Sequence, residues 1–328
     1  MSAENTHIPR QGTGNRLAHF PVSFFAIGMG MMGLTIATRA AETAFAAGHM
    51  ASSALLGLSI VVILAVAATY ALKALRHGDE VRAEWQHPIR IAFFPAISIS
   101  MLLVATGLLH AAPALARPIW LVGMAAQGVL ALAVISSWIG HRPFRPGQLT
   151  PAWFIPAVGN VVVPLAGAPL GYGELSWLFF SGGVMFWIVL LTLVMNRLMF
   201  HEPMPEKLVP TLMILVAPPA VAYVAWVRLT GTAGPVGQFL LSAGYVFALV
   251  VATQAGKLRR IPFALSWWAL SFPLAALAIA SFVHAELHGS GLHRAIGMGL
   301  WLLLCAVALR LVQRTLAAMR AGEVCVPE

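Results

Sequence analysis

Few residues in this chain are equipped for chemistry, and their positions narrow what that chemistry can be. The eleven acids are Glu4, Glu42, Asp79, Glu80, Glu84, Glu174, Glu202, Glu206, Glu286, Glu323 and Glu328, and each falls in or beside a polar stretch. His284, Glu286, His288 and His293 carry a His-x-Glu-x-His spacing that could bind a metal. A loop between two apolar segments offers such ligands little preorganisation, so a solvated loop is the stronger reading and no metal is expected. Cys305 lies in an apolar stretch and Cys325 near the C-terminus, which gives no disulfide framework. No nucleophile–base set, phosphate-cradling glycine loop or cofactor motif stands out. Neither catalysis nor a cofactor is expected.

The scaffold behind these residues is apolar. Of 328 residues, 59% are hydrophobic and 9% charged, and the mean hydropathy is +0.84. A soluble domain carries roughly a quarter charged residues, because its surface must face water. Soluble enzymes, disordered chains and disulfide scaffolds are therefore excluded. The chain is a polytopic membrane protein whose first partner is the lipid bilayer. The opening MSAENTHIPRQGTGNRLAH is polar throughout and lacks the apolar core of a signal peptide. It reads as a flexible tail.

Crossing about 30 Å of hydrocarbon takes roughly 20 apolar residues in a helix. Ten segments qualify, at about 20–40, 52–74, 89–110, 116–139, 152–171, 175–196, 208–228, 234–256, 262–283 and 295–315. The fifth is the weakest, with several prolines and glycines. The expected organisation is an all-α membrane domain over 20–316, between cytoplasmic tails at 1–19 and 317–328. Sixteen of the twenty lysines and arginines fall on one side of these spans, leaving only Arg39, Arg117, Arg228 and Arg294 on the other. By the positive-inside rule both termini are cytoplasmic, in a bacterial inner membrane. The net charge of +9 is thus a topology signal and no nucleic-acid partner is expected.

Prolines divide the spans by parity. Pro95, Pro156, Pro164, Pro218, Pro219 and Pro273 lie well inside the third, fifth, seventh and ninth spans. Even spans have prolines only near first turns, at Pro118 and Pro235, where they cost little. The first span carries Gly28, Gly30 and Gly33 instead. An interior proline frees a carbonyl, which neighbouring helices or a water-lined cavity must satisfy. The odd spans are therefore expected to be kinked and inner, the even ones outer. One hairpin recurs about every 54 to 70 residues, and five hairpins could close around an axis. Candidate pore-lining or pore-kinking residues are Gly28, Gly30, Pro95, Pro156, Asn160, Pro218, Ser271 and Pro273.

The spans carry no acid, lysine or arginine at their centres. Coupled carriers keep an ionisable group at the midplane, so a passive channel or uniporter fits better. A pore without fixed acids is a poor cation selector. The odd helices also direct their partially positive N-termini to the cytoplasmic mouth, beside most of the arginines. The expected cargo is small anions, inorganic or organic.

Several polar residues admit two readings. Asn160 either lines the pore or bonds a carbonyl freed near Pro156 or Pro164. Ser98, Ser100, Thr106 and Ser271 suit weak anion contacts or back-bonding to their own helix. Gln127, on an even span, reads as interhelical glue. Glu84 and His87, before Pro88, either cap the third helix with help from Arg82 or Arg90 or serve a gate at the cytoplasmic entrance; the cap is the stronger reading.

Four stretches, VRAEWQHPIR (Val81 to Arg90), FIPAVGN (Phe154 to Asn160), LVAPPA (Leu215 to Ala220) and SWWALSFPLA (Ser266 to Ala275), resemble the TehA tellurite-resistance family. That family includes dicarboxylate transporters and the slow-type anion channel of plant guard cells. The resemblance runs from Pro21 to the last span, and its E-x-x-H-P and W-x-x-S-F elements are specific in combination. It implies ten helices as five hairpins in quasi-five-fold arrangement, a pore lined by odd helices, and a homotrimer. It further implies that Phe272, on the ninth helix, plugs the pore. The chain departs from the family pattern at FFAIGMG, at the displaced Pro95 and at SFP where SFG is commoner. The expectation is an anion channel or uniporter with Phe272 as gate. The alternatives are a carrier for C4-dicarboxylates or tellurite-like oxyanions, proton-linked or not, and a scaffold or sensor with a non-conducting pore.

Overall fold

The computed structural model describes residues 16–140, 144–258 and 260–325. Most of the expected N-terminal tail, together with Arg142 and Arg259 of the cationic face, lies outside the described residues. Every regular element among the described residues is helical. Among the described residues nine apolar helices are long enough to cross a membrane: α1 Val22–Ala44, α2 Met50–Arg76, α3 Arg90–Leu108, α4 Pro113–Ile139, α6 Gly173–Phe200, α7 Glu206–Thr230, α8 Gly234–Ala252, α9 Leu265–His288 and α10 Gly291–Ala321. Between α4 and α6 lies a shorter one, α5 Pro151–Gly167. The last helix continues to Ala321, into the stretch expected to be tail.

The inner and outer classes follow parity. Some 72–83% of the apolar windows of α1, α3, α7 and α9 is buried, against 22–33% for the even helices. Among the described residues, large exposed hydrophobic side chains stand on even helices, for example Leu64, Leu132, Ile188, Phe239 and Leu309, with Phe45 and Leu287 as the exceptions. In water such a surface would drive aggregation; against acyl chains it costs nothing. Each odd helix packs on the even helix that follows it. The odd helices also touch one another in the closed order α1, α3, α5, α7, α9 and back to α1. That order is compatible with five hairpins around an axis.

The odd helices are composite. Each opens with 3₁₀ turns, at Val22–Phe24, Arg90–Phe93, Pro151–Trp153, Glu206–Val216 and Leu265–Leu270, before continuing as α-helix. Eleven consecutive 3₁₀ residues in α7 far exceed the usual three or four. In α3, α5, α7 and α9 the interior prolines explain the changeover; α1 makes it without one. Pro164, Pro218, Pro219 and Pro273 are the second or third residues of their α-helical segments, and Pro95 is an N-cap. At those positions the missing N–H has no intrahelical acceptor to lose. A 3₁₀ segment also rises about 2.0 Å per residue, against 1.5 Å in an α-helix. Mixing the two lets the 17 residues of α5 reach about 29 Å, close to the hydrocarbon thickness. This is why the weakest segment still takes its place in the ring.

The odd helices begin at one end of the molecule, here the proximal end, and finish at the distal end. Both described termini are proximal: a Cβ on Gly322, just past α10, would meet the guanidinium of Arg16 at 2.9 Å.

Candidate functional site

Two cavities lie on the axis of the odd-helix ring, and all five odd helices line each of them. The proximal cavity, about 70 Å³, is bounded by Ala26 and Met29 of α1, Phe93, Ala96 and Ile99 of α3, Phe154, Ile155 and Val158 of α5, Ile214, Pro218 and Val221 of α7, and Trp268, Phe272 and Pro273 of α9, among others. No charged residue lines it. The distal cavity, about 50 Å³, is lined by Gly33, Ile36, Leu103, Thr106, Leu165, Val221, Val224, Arg228, Phe272, Ala276 and Ile279. Two residues face both cavities: Phe272 and Val221. Phe272 is only half-buried although its helix is among the most enclosed, because its ring faces empty space instead of packed atoms. Gly33 makes room for it: a Cβ there would come within 3.5 Å of the Phe272 ring and 2.9 Å of Ala275.

The ring's facing also settles where the other expected residues sit. Pro218 and Pro273 line the proximal cavity. Pro95 and Pro156 are buried at the changeover of their helices and line neither cavity. Gly28 and Gly30, expected along the pore, are contact glycines instead. A Cβ on Gly28 would strike Ile63 of α2 at 2.7 Å, and one on Gly30 would strike Ser271 and, at 2.9 Å, Trp268. They let α1 lie close against α2 and α9; the axial glycine of α1 is Gly33. Ser271 is fully buried against that contact and donates to its own Trp268 carbonyl at 2.6 Å.

Asn160 joins a bond network between helices. Gln127 Nε2 donates to Asn160 Oδ1 and to the Pro156 carbonyl, each at 3.1 Å, while Ser98 Oγ donates to Gln127 Oε1 at 2.8 Å. Gln127 is fully buried and ties α3, α4 and α5 together, as its even-helix position suggested. Ser100 and Thr106 back-bond to Ala96 and Leu102 at 2.7 and 2.8 Å.

Glu84 and His87 stand off the axis. The connecting helix Gly78–Gln86 folds back from α2 and buries Glu84 to 2% exposure. Its carboxylate pairs with Lys73 Nζ at 3.1 Å and accepts from Tyr70 Oη at 2.9 Å and the Val22 amide at 3.3 Å. Lys73 Nζ also donates to the Phe20 carbonyl at 2.9 Å. The partner is thus Lys73 rather than Arg82 or Arg90, and the knot ties α2 to the start of α1. His87 Nδ1 accepts the amides of Ile89 and Arg90, both at 3.2 Å, and so caps the start of α3. His87 follows the capping reading, whereas Glu84 caps nothing on α3 and instead joins α2 to the start of α1.

The histidines expected in a solvated loop lie on helices. His284 and His288 belong to α9 and His293 to α10, with ring centroids 4.2 Å apart for each pair that includes His284. His284 is 6% exposed and its Nδ1 shares a 2.9 Å hydrogen bond with Tyr223 Oη. Among the described residues no group of three or more ligands is placed to hold a metal.

The sequence signal missed for the site was the aromatic and branched lining: Phe93, Phe154, Ile155, Ile214 and Val221 are indistinguishable by type from residues facing lipid. Only the ring order separates them.

The profile of the SLAC1 family, voltage-dependent anion channels, matches residues 19–316. The chain belongs to this family. Among its relatives is the S-type anion channel SLAH2 of Arabidopsis thaliana, 30% identical over 292 residues, covering 86% of this chain and 56% of the plant protein. The guard cell S-type anion channel SLAC1 of the same plant is 23% identical, covering 86% of this chain and 53% of its own length. A tellurite resistance protein TehA homolog of Haemophilus influenzae is 27% identical over 270 residues, covering 81% of this chain and 82% of that protein. The chain spans about half the length of the plant relatives, and most of the bacterial one.

Proposed function

We propose that this protein is an anion channel or uniporter whose path runs along the axis of the odd-helix ring and is closed at Phe272. One observation carries the reading: two axial cavities, each lined by all five odd helices, meet at Phe272, which is only partly buried. A narrow apolar constriction stops ions because a desolvated ion finds no replacement for its water. Neither cavity is lined by an acid, so nothing in the path favours a cation over an anion. Membership of an anion-channel family points the same way.

In this reading the proximal end is cytoplasmic, since it gathers most of the lysines and arginines. The membrane is the plasma membrane of a bacterium. Reversal potentials in a chloride gradient, measured on an opened variant, should follow the chloride equilibrium potential. Comparable permeation by potassium would refute the anion assignment. Saturable oxyanion uptake without current would favour a carrier instead.

The exposed faces of the even helices, together with the family resemblance, also support a homotrimer with one path per subunit. Chemical cross-linking in native membranes should then produce a ladder that stops at three subunits. A ladder ending at two would count against it.

A further inference from the structure

Among the described residues, Arg228 is the one charged side chain that lines either axial cavity, and the channel reading leaves it without a task. Arg228 lies in the last turn of α7. It is one of only four cations on the side that the positive-inside rule depletes, with Arg39, Arg117 and Arg294. Arg39, near the end of α1, and Arg228 both act electrostatically on His110, just past α3, so the groups converge from three odd helices. Burial, and then these two guanidiniums and His49, hold the His110 pKa below the usual histidine range. Among the described residues neither arginine is ion-paired; the pairs found are His49–Glu42 and Lys73–Glu84. Glu42, three residues beyond Arg39, is occupied elsewhere: its Oε1 accepts the amides of Ala51 and Ser52 at 3.0 and 3.2 Å.

The physics of the ring makes an uncompensated cation here useful. All five odd helices finish at the distal end, and each C-terminus carries roughly half a negative charge. Left alone, that mouth would repel anions. Arg228 is exposed at the rim of the distal cavity, and a fixed positive charge beside a cleft with low-dielectric walls raises the local anion concentration above bulk.

We propose that Arg228, with Arg39 of α1 as a second cation at the same end, forms an anion-collecting site at the distal mouth that binds small inorganic anions weakly and feeds them into the distal cavity. This rests on the axial path proposed above. The site sets how fast anions enter from that side, and Phe272 sets whether they cross. Thr106 adds little, because its hydroxyl is already bonded to Leu102.

The test uses Phe272→Ala as conducting parent in planar bilayers with symmetrical potassium chloride. The measured quantity is the ratio of the two current polarities. At ~10 mM salt, where the Debye length is about 30 Å, Arg228→Gln should change the ratio about threefold and Arg39→Gln/Arg228→Gln roughly tenfold. At ~1 M, where screening acts within about 3 Å, the differences should vanish. Arg117→Gln/Arg294→Gln removes two charges from the same end on even helices, off the axis, and should change the ratio clearly less than Arg39→Gln/Arg228→Gln. An unchanged ratio in the Arg228 variants, or an equal change in the control, overturns the site while leaving the channel reading intact. A parent that carries no chloride current overturns the axial path and this site with it. Chloride-35 line broadening on the wild-type protein in detergent reads binding without any current. Broadening that Arg39→Gln/Arg228→Gln abolishes supports the site; equal broadening in both proteins counts against it.

Discussion

Phe272→Ala should raise chloride conductance at least about tenfold while the yield of folded protein stays near that of wild type. Tenfold corresponds to lowering the barrier by about 1.4 kcal/mol, a modest demand on a ring proposed to close an apolar constriction. The structural alternative predicts the opposite pair of outcomes. In a packed core, removing a phenylalanine ring costs about 3–5 kcal/mol through lost burial and a new void. Phe272 borders two existing cavities, so its removal joins them instead of opening a void in packed atoms. Leu270→Ala is the control, since Leu270 lines neither cavity. Single-channel recording together with gel filtration separates the cases. A monodisperse Phe272→Ala protein that conducts no better than wild type removes Phe272 from the gate.

The second large effect belongs to the buried pair at the proximal end. Glu84→Ala should destabilise the protein by about 3–5 kcal/mol, because it strands the Lys73 ammonium in a site that is 1% exposed. Lys73→Met should do comparable damage by stranding the carboxylate. The double variant Lys73→Met/Glu84→Gln should recover much of the loss, since a buried pair replaced by neutral groups of similar volume is often tolerated. Thermal unfolding in detergent measures all three. The expected pattern is two low midpoints and one near wild type. Single variants that unfold like wild type but gate differently would return Glu84 to a role at the entrance.

Much of the fold was legible because lipid imposes coarse rules. Span length and the scarcity of charge count the helices, and the parity of six prolines sorts inner from outer. The facing of individual residues was not legible. In a soluble helix the polar face reports solvent, but here the lipid face and the core face are both apolar. Gly28 and Gly30 therefore read as axial when they are contact glycines, while Gly33 stands on the axis. Phe272 emerged from its place beside an interior proline on an odd span together with resemblance to a family, since nothing in its type sets it apart from the other sixteen phenylalanines. Glu84 pairs across the turn between α2 and the connecting helix, which sequence neighbours such as Arg82 gave no reason to expect.

By itself, the sequence determined a helical membrane protein with charge-poor spans, a cationic face and four odd spans interrupted by proline. The chemical reasons are local: hydrocarbon demands internally bonded backbone, and proline lacks an N–H. The tertiary structure alone decided the ring order, which side chains share the axis, and that Arg228 and Phe272 line one cavity. Those facts depend on rotations of whole helices about their own axes. Such rotations are set by close contacts at small residues and by a few buried bonds, such as that from Gln127 to Asn160, and apolar periodicity does not encode them.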